Sequence, residues 1–445
     1  MNRTCVAAEP ILDFAVVGGG LSGLVVATGI AGSSSSTFAL LEASPSRWGG
    51  RLLNDGAGLD LGGAWVWPGQ RKVEALLGRL GIGTFAQPGE PGSLRVAGGT
   101  AALVDALVEA LPPAGHADAG HALTAPAAAP AAPAAPAAPA APAAPAAPAA
   151  PARHRISLGW ELAACEHVPA RASAEQQQVG AAAAAAAAGG EQQQQAAVEE
   201  HVRLTSVDGG VVRARRVVLA VPPRLLLVGG ASGAGGGGAG AGVRFTPELR
   251  PARRAAMLEA RTWMAGVTKV ALSWEAGGGE GEEQQQQQPA RFWRTRDVGS
   301  MGLRGGPAFQ VYDASTEGDA AVGLTFFALA TAEPDDAALV RQCVRQLAAA
   351  WGQQGVARAT IERLLREEPA RATVQRWPLE RLASDEAQPQ TIHPHPHPRP
   401  ELARPEWGGR LLFAGTECDQ SSPGIIEGAI GAAQAALAHL GLSLD

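Results

Sequence analysis

At 445 residues the chain could form two domains, but 33 prolines and long biased tracts leave much less of it to pack. A formal net charge of −6 without a basic patch argues against nucleic acid or an anionic membrane as partner, and no apolar run reaches the ~20 residues a membrane span requires. Cys5, Cys165, Cys343 and Cys418 are scattered with no CxxC, residues 1–10 are too short and polar for a secretory signal, and the C-terminus is no peroxisomal address; the expectation is a cytoplasmic protein, or an organellar one if a leader precedes this sequence.

In chain order, the apolar run Phe14, Ala15, Val16, Val17 reads as a buried parallel strand. Gly18-x-Gly20-x-x-Gly23 follows at once and opens a helix running to about Ile30. The first glycine permits the tight turn, and the second lets a pyrophosphate approach the backbone. The third lets helix and strand pack closely, with phosphates on the helix N-terminus beside Leu21 and Ser22. A second apolar run, Phe38, Ala39, Leu40, Leu41, ends in Glu42, whose carboxylate can accept both ribose hydroxyl protons. In a chain with 57 glycines the glycine motif alone is weak; strand, helix and acidic residue around it make the layout of a dinucleotide site.

The continuation separates flavin from nicotinamide: Trp48-Gly49-Gly50-Arg51, then Leu59-Asp60-Leu61-Gly62-Gly63-Ala64-Trp65. This pair resembles the GGR and DxGG motifs of the flavin amine oxidase family, which includes the monoamine and polyamine oxidases. In that family the arginine lies along the FAD pyrophosphate and the GG turn passes the isoalloxazine ring. The resemblance therefore implies cofactor contacts at Gly50, Arg51, Gly63, Ala64 and Trp65, with Trp65 also walling the substrate cavity. It implies an α/β fold: a Rossmann-like FAD-binding domain of the glutathione-reductase type over 11–68, 95–228 and 405–445. A smaller α+β substrate domain on a mixed sheet is expected over 69–94 and 243–404, with a Gly/Ala loop at 229–242.

Further along, Val73, Leu76, Leu77 and Leu80 fall on one helical face that stops at Gly81. Residues 82–96 read as loop, a reduction that looks like the short bacterial-type members of the family. Gly98-Gly99-Thr100 with Leu103, Leu107 and Leu111 resembles the family's turn and helix returning to the FAD domain. Low-complexity insertions follow at about 126–152, an Ala-Ala-Pro repeat, and at about 173–197, which carries poly-Gln and poly-Ala. Strands are expected around Ile156, His201 and Val211, and Leu162 occupies the place where a family backbone group meets the adenine. The run Val217, Val218, Leu219 closes the unit as a buried parallel strand.

Thr246 and Pro247 read as N-cap and first residue of a helix. The alternating run 267–272 reads as a strand with one covered face, on which an arbitrary lysine would be solvated. Lys269 matches the family lysine that holds a water against flavin N5, followed as there by an aromatic pair, Phe292 and Trp293; such a water can shuttle protons or yield to dioxygen. After a polar tract at 280–288, residues 309–315 and 322–327 read as sheet strands. Leu339, Cys343 and Leu347 mark an amphipathic helix with a packed thiol. Trp377 resembles the family tryptophan near the cavity. His393, His395 and His397 alternate with prolines and lack an acidic or cysteine ligand, so no metal site is expected.

The second anchor lies near the C-terminus: a strand reaching Gly415 and Glu417, then Gly424, Ile425, Ile426, Glu427 and Ala429 at the start of a helix to about Leu440. A Gly-flanked helix start aims free N–H groups at a ligand. In the family this unit binds the ribityl chain beneath the flavin N1 and O2 edge. Two departures bear on chemistry. No cysteine lies between Trp377 and Phe413, where the mammalian enzymes tether FAD, so non-covalent FAD is expected, and Cys418 falls at a different place. One family substrate-clasping tyrosine falls at Ile425, and the only tyrosine is Tyr312, so a simple arylalkylamine substrate does not carry over. The resemblance implies oxidation of an amine C–N bond by hydride transfer to flavin N5, with dioxygen as acceptor. An FAD-dependent dehydrogenase or desaturase of an apolar substrate, or a low-turnover flavoprotein with a binding role, are the alternatives.

Overall fold

The computed structural model describes residues 10–33, 35–113, 154–170, 198–228, 242–274, 292–293, 295–319, 321–329, 333–385 and 395–444. The Ala-Ala-Pro repeat, the poly-Ala and poly-Gln tracts, residues 229–241, the 280–288 tract, Cys5 and His393 lie outside them.

The chain opens with β1 (Ile11–Val17), α1 (Leu21–Ala31) and β2 (Phe38–Leu41), as the apolar runs and the glycine turn dictate. Next come β3 (Trp65–Val66), α2 (Arg71–Leu80), β4 (Thr84–Ala86), β5 (Leu94–Val96) and α3 (Thr100–Glu109). Helix α2 ends at Gly81 in the left-handed region, φ 68°, where a side chain would be strained. Residues 82–96 are thus not simply loop: β5 pairs with both β3 and β4, and three-residue strands are too short to announce themselves by periodicity.

The middle of the chain supplies β6 (His154–Ser157), β7 (Leu162–Val168), β8 (His201–Ser206), β9 (Val211–Leu219) and β10 (Arg244–Thr246). Strand β1 lies at the centre of the larger sheet, parallel to β2 on one side and β9 on the other. Strand β6 extends it beyond β2. The N-terminal half of β9 pairs antiparallel with β8, β8 pairs antiparallel with β7, and β10 joins β7 in parallel. Residues 244–246 therefore belong to the larger sheet, although the sequence division begins the substrate domain at 243. Helix α4 (Pro251–Glu259) starts with Pro251 in its first turn and Arg250 as N-cap. Thr246 ends a strand instead of capping a helix; proline suits either place, and here the second proline in the segment is the one that initiates.

The second sheet consists of β11 (Val267–Trp274), β12 (Ser300–Gly302), β13 (Ala308–Asp313), β14 (Val322–Leu329) and β15 (Arg371–Arg376). Its pairings are all antiparallel, so the expected mixed sheet is not what forms. Strand β11 is buried along both faces from Val267 to Ser273, because one face meets the helices α5 (Asp336–Gln353) and α6 (Arg358–Arg366) and the other meets the 59–64 loop. The alternation in the sequence therefore concealed a two-sided strand. Cys343 packs in this core, where burial pushes its thiol up to about 12. Phe292 and Trp293 pack edge-on against Trp274 at 5.5 Å, inside the same core.

Strand β16 (Leu411–Phe413) returns the chain to the larger sheet beside the C-terminal half of β9, and α7 (Ile426–Leu440) follows. Helix α7 packs on α1 so closely that a Cβ on Gly29 would lie 2.6 Å from Leu437 Cδ1. The helices α1, α3 and α7 cover one face of the larger sheet, and the residues around Phe245 and Met257 cover the other. Among the described residues no helix is long and apolar enough to cross a membrane.

Candidate active site

Both glycine-rich segments open onto one cavity of about 330 Å³. Gly18, Gly20, Leu21, Ser22, Glu42, Gly50 and Arg51 line it from the N-terminal part of the chain. Gly415, Gly424, Ile425, Ile426 and Ala429 line it from the C-terminal part. Gly63, Ala64, Trp65, Leu162, Lys269 and Trp377, also singled out by the sequence, line it as well.

The turn after β1 works as the residue types require. Gly18 has φ 104°, and a Cβ on Gly23 would fall 1.8 Å from the Gly18 carbonyl oxygen. Gly23 thus stands behind the cavity wall and sets the helix-to-strand distance. Helices α1 and α7 both begin without a side-chain cap, at Gly20 and Ile425, leaving first-turn N–H groups unspent by capping. The Ser22 hydroxyl donates to the Ala414 carbonyl, joining the two ends of the chain. Glu42 accepts the Gly19 N–H at 2.5 Å and the Ser44 N–H at 2.6 Å; burial raises its pKa against these bonds.

Two more candidates lie outside the lining. Glu417 accepts both Arg51 amino groups, at 2.7 and 3.2 Å, behind the cavity wall. Glu427 turns away altogether: its carboxylate accepts the N–H groups of Val73 at 2.9 Å and Lys72 at 3.3 Å, capping α2, which lacks a cap of its own. A carboxylate in the first turn of α7 finds donors there instead of facing a ligand.

Lys269 is 4 % exposed, so the solvated reading does not hold. Its Nζ donates to the Gly62 carbonyl at 2.6 Å and lies 4.6 Å from the Phe327 ring centroid. Burial lowers its pKa from 10.5 to about 7; the Asp60 carboxylate opposes that shift and Arg95 adds to it. Asp60 is itself fully buried, paired with Arg95 at 3.3 Å and accepting the Thr100 N–H and hydroxyl at 2.8 and 2.9 Å. Tyr312 packs at a tilt of 56° against Trp65, centroids 4.8 Å apart, and its hydroxyl donates to the Asp60 carbonyl at 3.3 Å.

Sequence reasoning missed Phe327, Met264, Trp263 and the Glu161–Arg381 pair, all of which line the cavity. In a strand buried on both faces, nothing in the apolar pattern separates Phe327 from Phe326. His395 lies against Trp263, centroids 4.8 Å apart, and among the described residues no group of three or more His, Cys, Asp or Glu is placed to hold a metal ion. Cys418 is buried, its thiol pushed up to about 12, and does not line the cavity.

Residues 194–438, more than half of the chain, match the family described as flavin containing amine oxidoreductase. A stretch of 88 residues is 39% identical to a putrescine oxidase from Kocuria rosea; it spans 19% of this chain and only 18% of that protein. The structure of a putrescine oxidase bound to putrescine is similar at a TM-score of 0.56 and 16% identity, covering 97% of this chain and 99% of that one. Cyclohexylamine oxidase from Brevibacterium oxydans IH-35A is similar at 0.57 and 15% identity, with the same coverage of 97% and 99%. At such identities the structural likeness speaks for the fold. The match over more than half of its length makes this chain a member of the flavin-containing amine oxidoreductase family.

Proposed function

We propose that the chain is an amine oxidase that uses FAD held without a covalent bond, in a glutathione-reductase-type domain built on the larger sheet, with dioxygen as electron acceptor. The observation that carries this reading is the opening of two uncapped helix N-termini, one from each end of the chain, onto the cavity that Lys269 also lines. The residues present fit the group. Gly20 meets nothing nearer than 3.9 Å where a Cβ would stand, so its backbone is open to a pyrophosphate. Glu42 offers a ribose its carboxylate, Arg51 offers the phosphates a cation, and Leu162 lies near Glu161 and Arg381 at the end an adenine would reach. The N-terminus of α7, at Gly424, Ile425 and Ile426, favours negative charge on a reduced ring by roughly 0.3–2 kcal/mol. FAD held by these residues would supply the two-electron oxidation of the C–N bond, with N5 as the hydride-accepting position and dioxygen as the final acceptor.

The chain's own residues do the rest. Trp65, Phe327 and Trp377 exclude water from the substrate end and thereby favour the uncharged amine, the form that can give up a hydride. Lys269, with a pKa of about 7, can hold a water by donating to it and can take or give a proton near neutrality.

Amine-dependent peroxide formation by FAD-loaded protein tests the activity; no peroxide with any primary amine, from protein that retains FAD, would overturn it. Lys269→Met is expected to slow reoxidation of the reduced protein about a hundredfold, leaving FAD retention unchanged.

A further inference from the structure

Around Lys269 the cavity wall is largely aromatic and aliphatic. Trp65 stacks nearly parallel on Phe327, with centroids 5.7 Å apart and planes 13° apart. Two of the tryptophans that line the cavity have spent their only donor elsewhere: Trp377 Nε1 donates to the Leu61 carbonyl at 2.8 Å, and Trp65 Nε1 to Gln87 Oε1 at 2.9 Å. Gln87 is buried and held in turn by its own bond to the Asp313 carbonyl at 2.7 Å, so the Trp65 ring is fixed in orientation. Met264, Val267 and Ile425 add aliphatic surface, and the cation on that side is Lys269.

The carboxylates among the described lining residues are Glu42 and Glu161. Glu42 accepts two backbone N–H groups, and Glu161 pairs with Arg381 at 2.8 Å. Both belong to the connections of the larger sheet, at the dinucleotide end. Asp60 is nearer in sequence to the Gly62 carbonyl that Lys269 contacts, but it is fully buried and spent on Arg95 and Thr100.

Resting on the amine-oxidising role proposed above, we infer that this site takes a monoamine with an uncharged, apolar body, cycloalkyl or arylalkyl, and discriminates against α,ω-diamines. The reacting nitrogen enters uncharged, so the apolar walls cost it little. A second, distal nitrogen gains nothing from that and stays an ammonium, desolvated against ring carbon with Lys269 nearby and, among the described residues there, no carboxylate to pair with. Ring faces return only part of that cost, because cation-π attraction at a desolvated site is worth less than the hydration removed. The fixed rings also provide the flat surface that a cyclohexyl or phenyl group fills, in place of the tyrosine pair that the chain lacks.

Two probes test this by binding instead of turnover: tert-octylamine, and the corresponding diamine with methyl groups blocking the carbon beside each nitrogen. Neither has a hydrogen on the carbon bearing nitrogen, so neither is oxidised. Calorimetric titration of FAD-loaded protein is expected to give at least about tenfold tighter binding of the monoamine, and Met264→Glu is expected to narrow or reverse the gap. Equal or tighter binding of the diamine overturns the inference. Anaerobic reduction of the flavin by cyclohexylamine and by putrescine separates the two levels of the argument: faster reduction by putrescine overturns the inference alone, while reduction by neither amine overturns the amine-oxidising role as well.

Discussion

Lys269 shows what burial does to a single side chain. The ammonium is held on a strand covered on both faces, and its pKa falls to about 7. In the unfolded chain the same group titrates near 10.5, so between these values the unfolded state binds more protons, and Lys269 makes stability rise with pH. The cost of burying the charge is present in full below about 7 and is lifted as pH climbs toward 10.5. Lys269→Met should therefore be more stable than the parent at pH 7, with a difference in denaturation midpoint that shrinks steadily toward pH 10; a constant difference would contradict the assignment. The place of this lysine was legible from the motif it resembles, but its environment was not. Alternation along 267–272 suggests one wet face, and only the packing of the 59–64 loop over β11 removes it. Glu427 is the converse case: the pattern around it pointed to a ligand, yet the nearest unpaired donors were the first N–H groups of α2.

Between elements, the decisive distances are set by glycines. Gly23 lets α1 sit on the turn after β1, and Gly428 lets the first turn of α7 sit on the loop before it, where a Cβ would fall 1.9 Å from the Ser422 carbonyl oxygen. Neither clash can be relieved by rotating a side chain, because the atom met is backbone. Gly23→Ala is expected to cost about 1–3 kcal/mol in stability and to abolish FAD retention after desalting; full retention would mean that the spacing of helix and strand does not matter to the cofactor. Glycine spacing of this kind is readable from sequence because one residue type satisfies it. Helix starts were less so: the chain offers proline at both 247 and 251, and the one that begins α4 depends on whether 244–246 finds a strand to join, a long-range matter.

Across the whole molecule, the cavity lies where the larger sheet, the second sheet and the 59–64 loop meet, and an apolar cluster of Leu59, Leu61, Ala64, Val267, Tyr312 and Phe327 ties the second sheet to that loop. The two ends of the sequence converge there through Ser22 and Ala414, Arg51 and Glu417, and the packing of α1 on α7. The motifs at each end were legible because each glycine turn carries its own local logic; the order of strands between them depends on pairings separated by long insertions, which no local pattern encodes. The account stands on those two ends gripping one extended dinucleotide. Its most direct test is the amount of flavin that stays with the protein when the chain is mixed with FAD, desalted, and then precipitated with acid. The expected result is one FAD per chain after desalting, released entirely to the supernatant by acid; protein that leaves the column without flavin would contradict the claim at its centre.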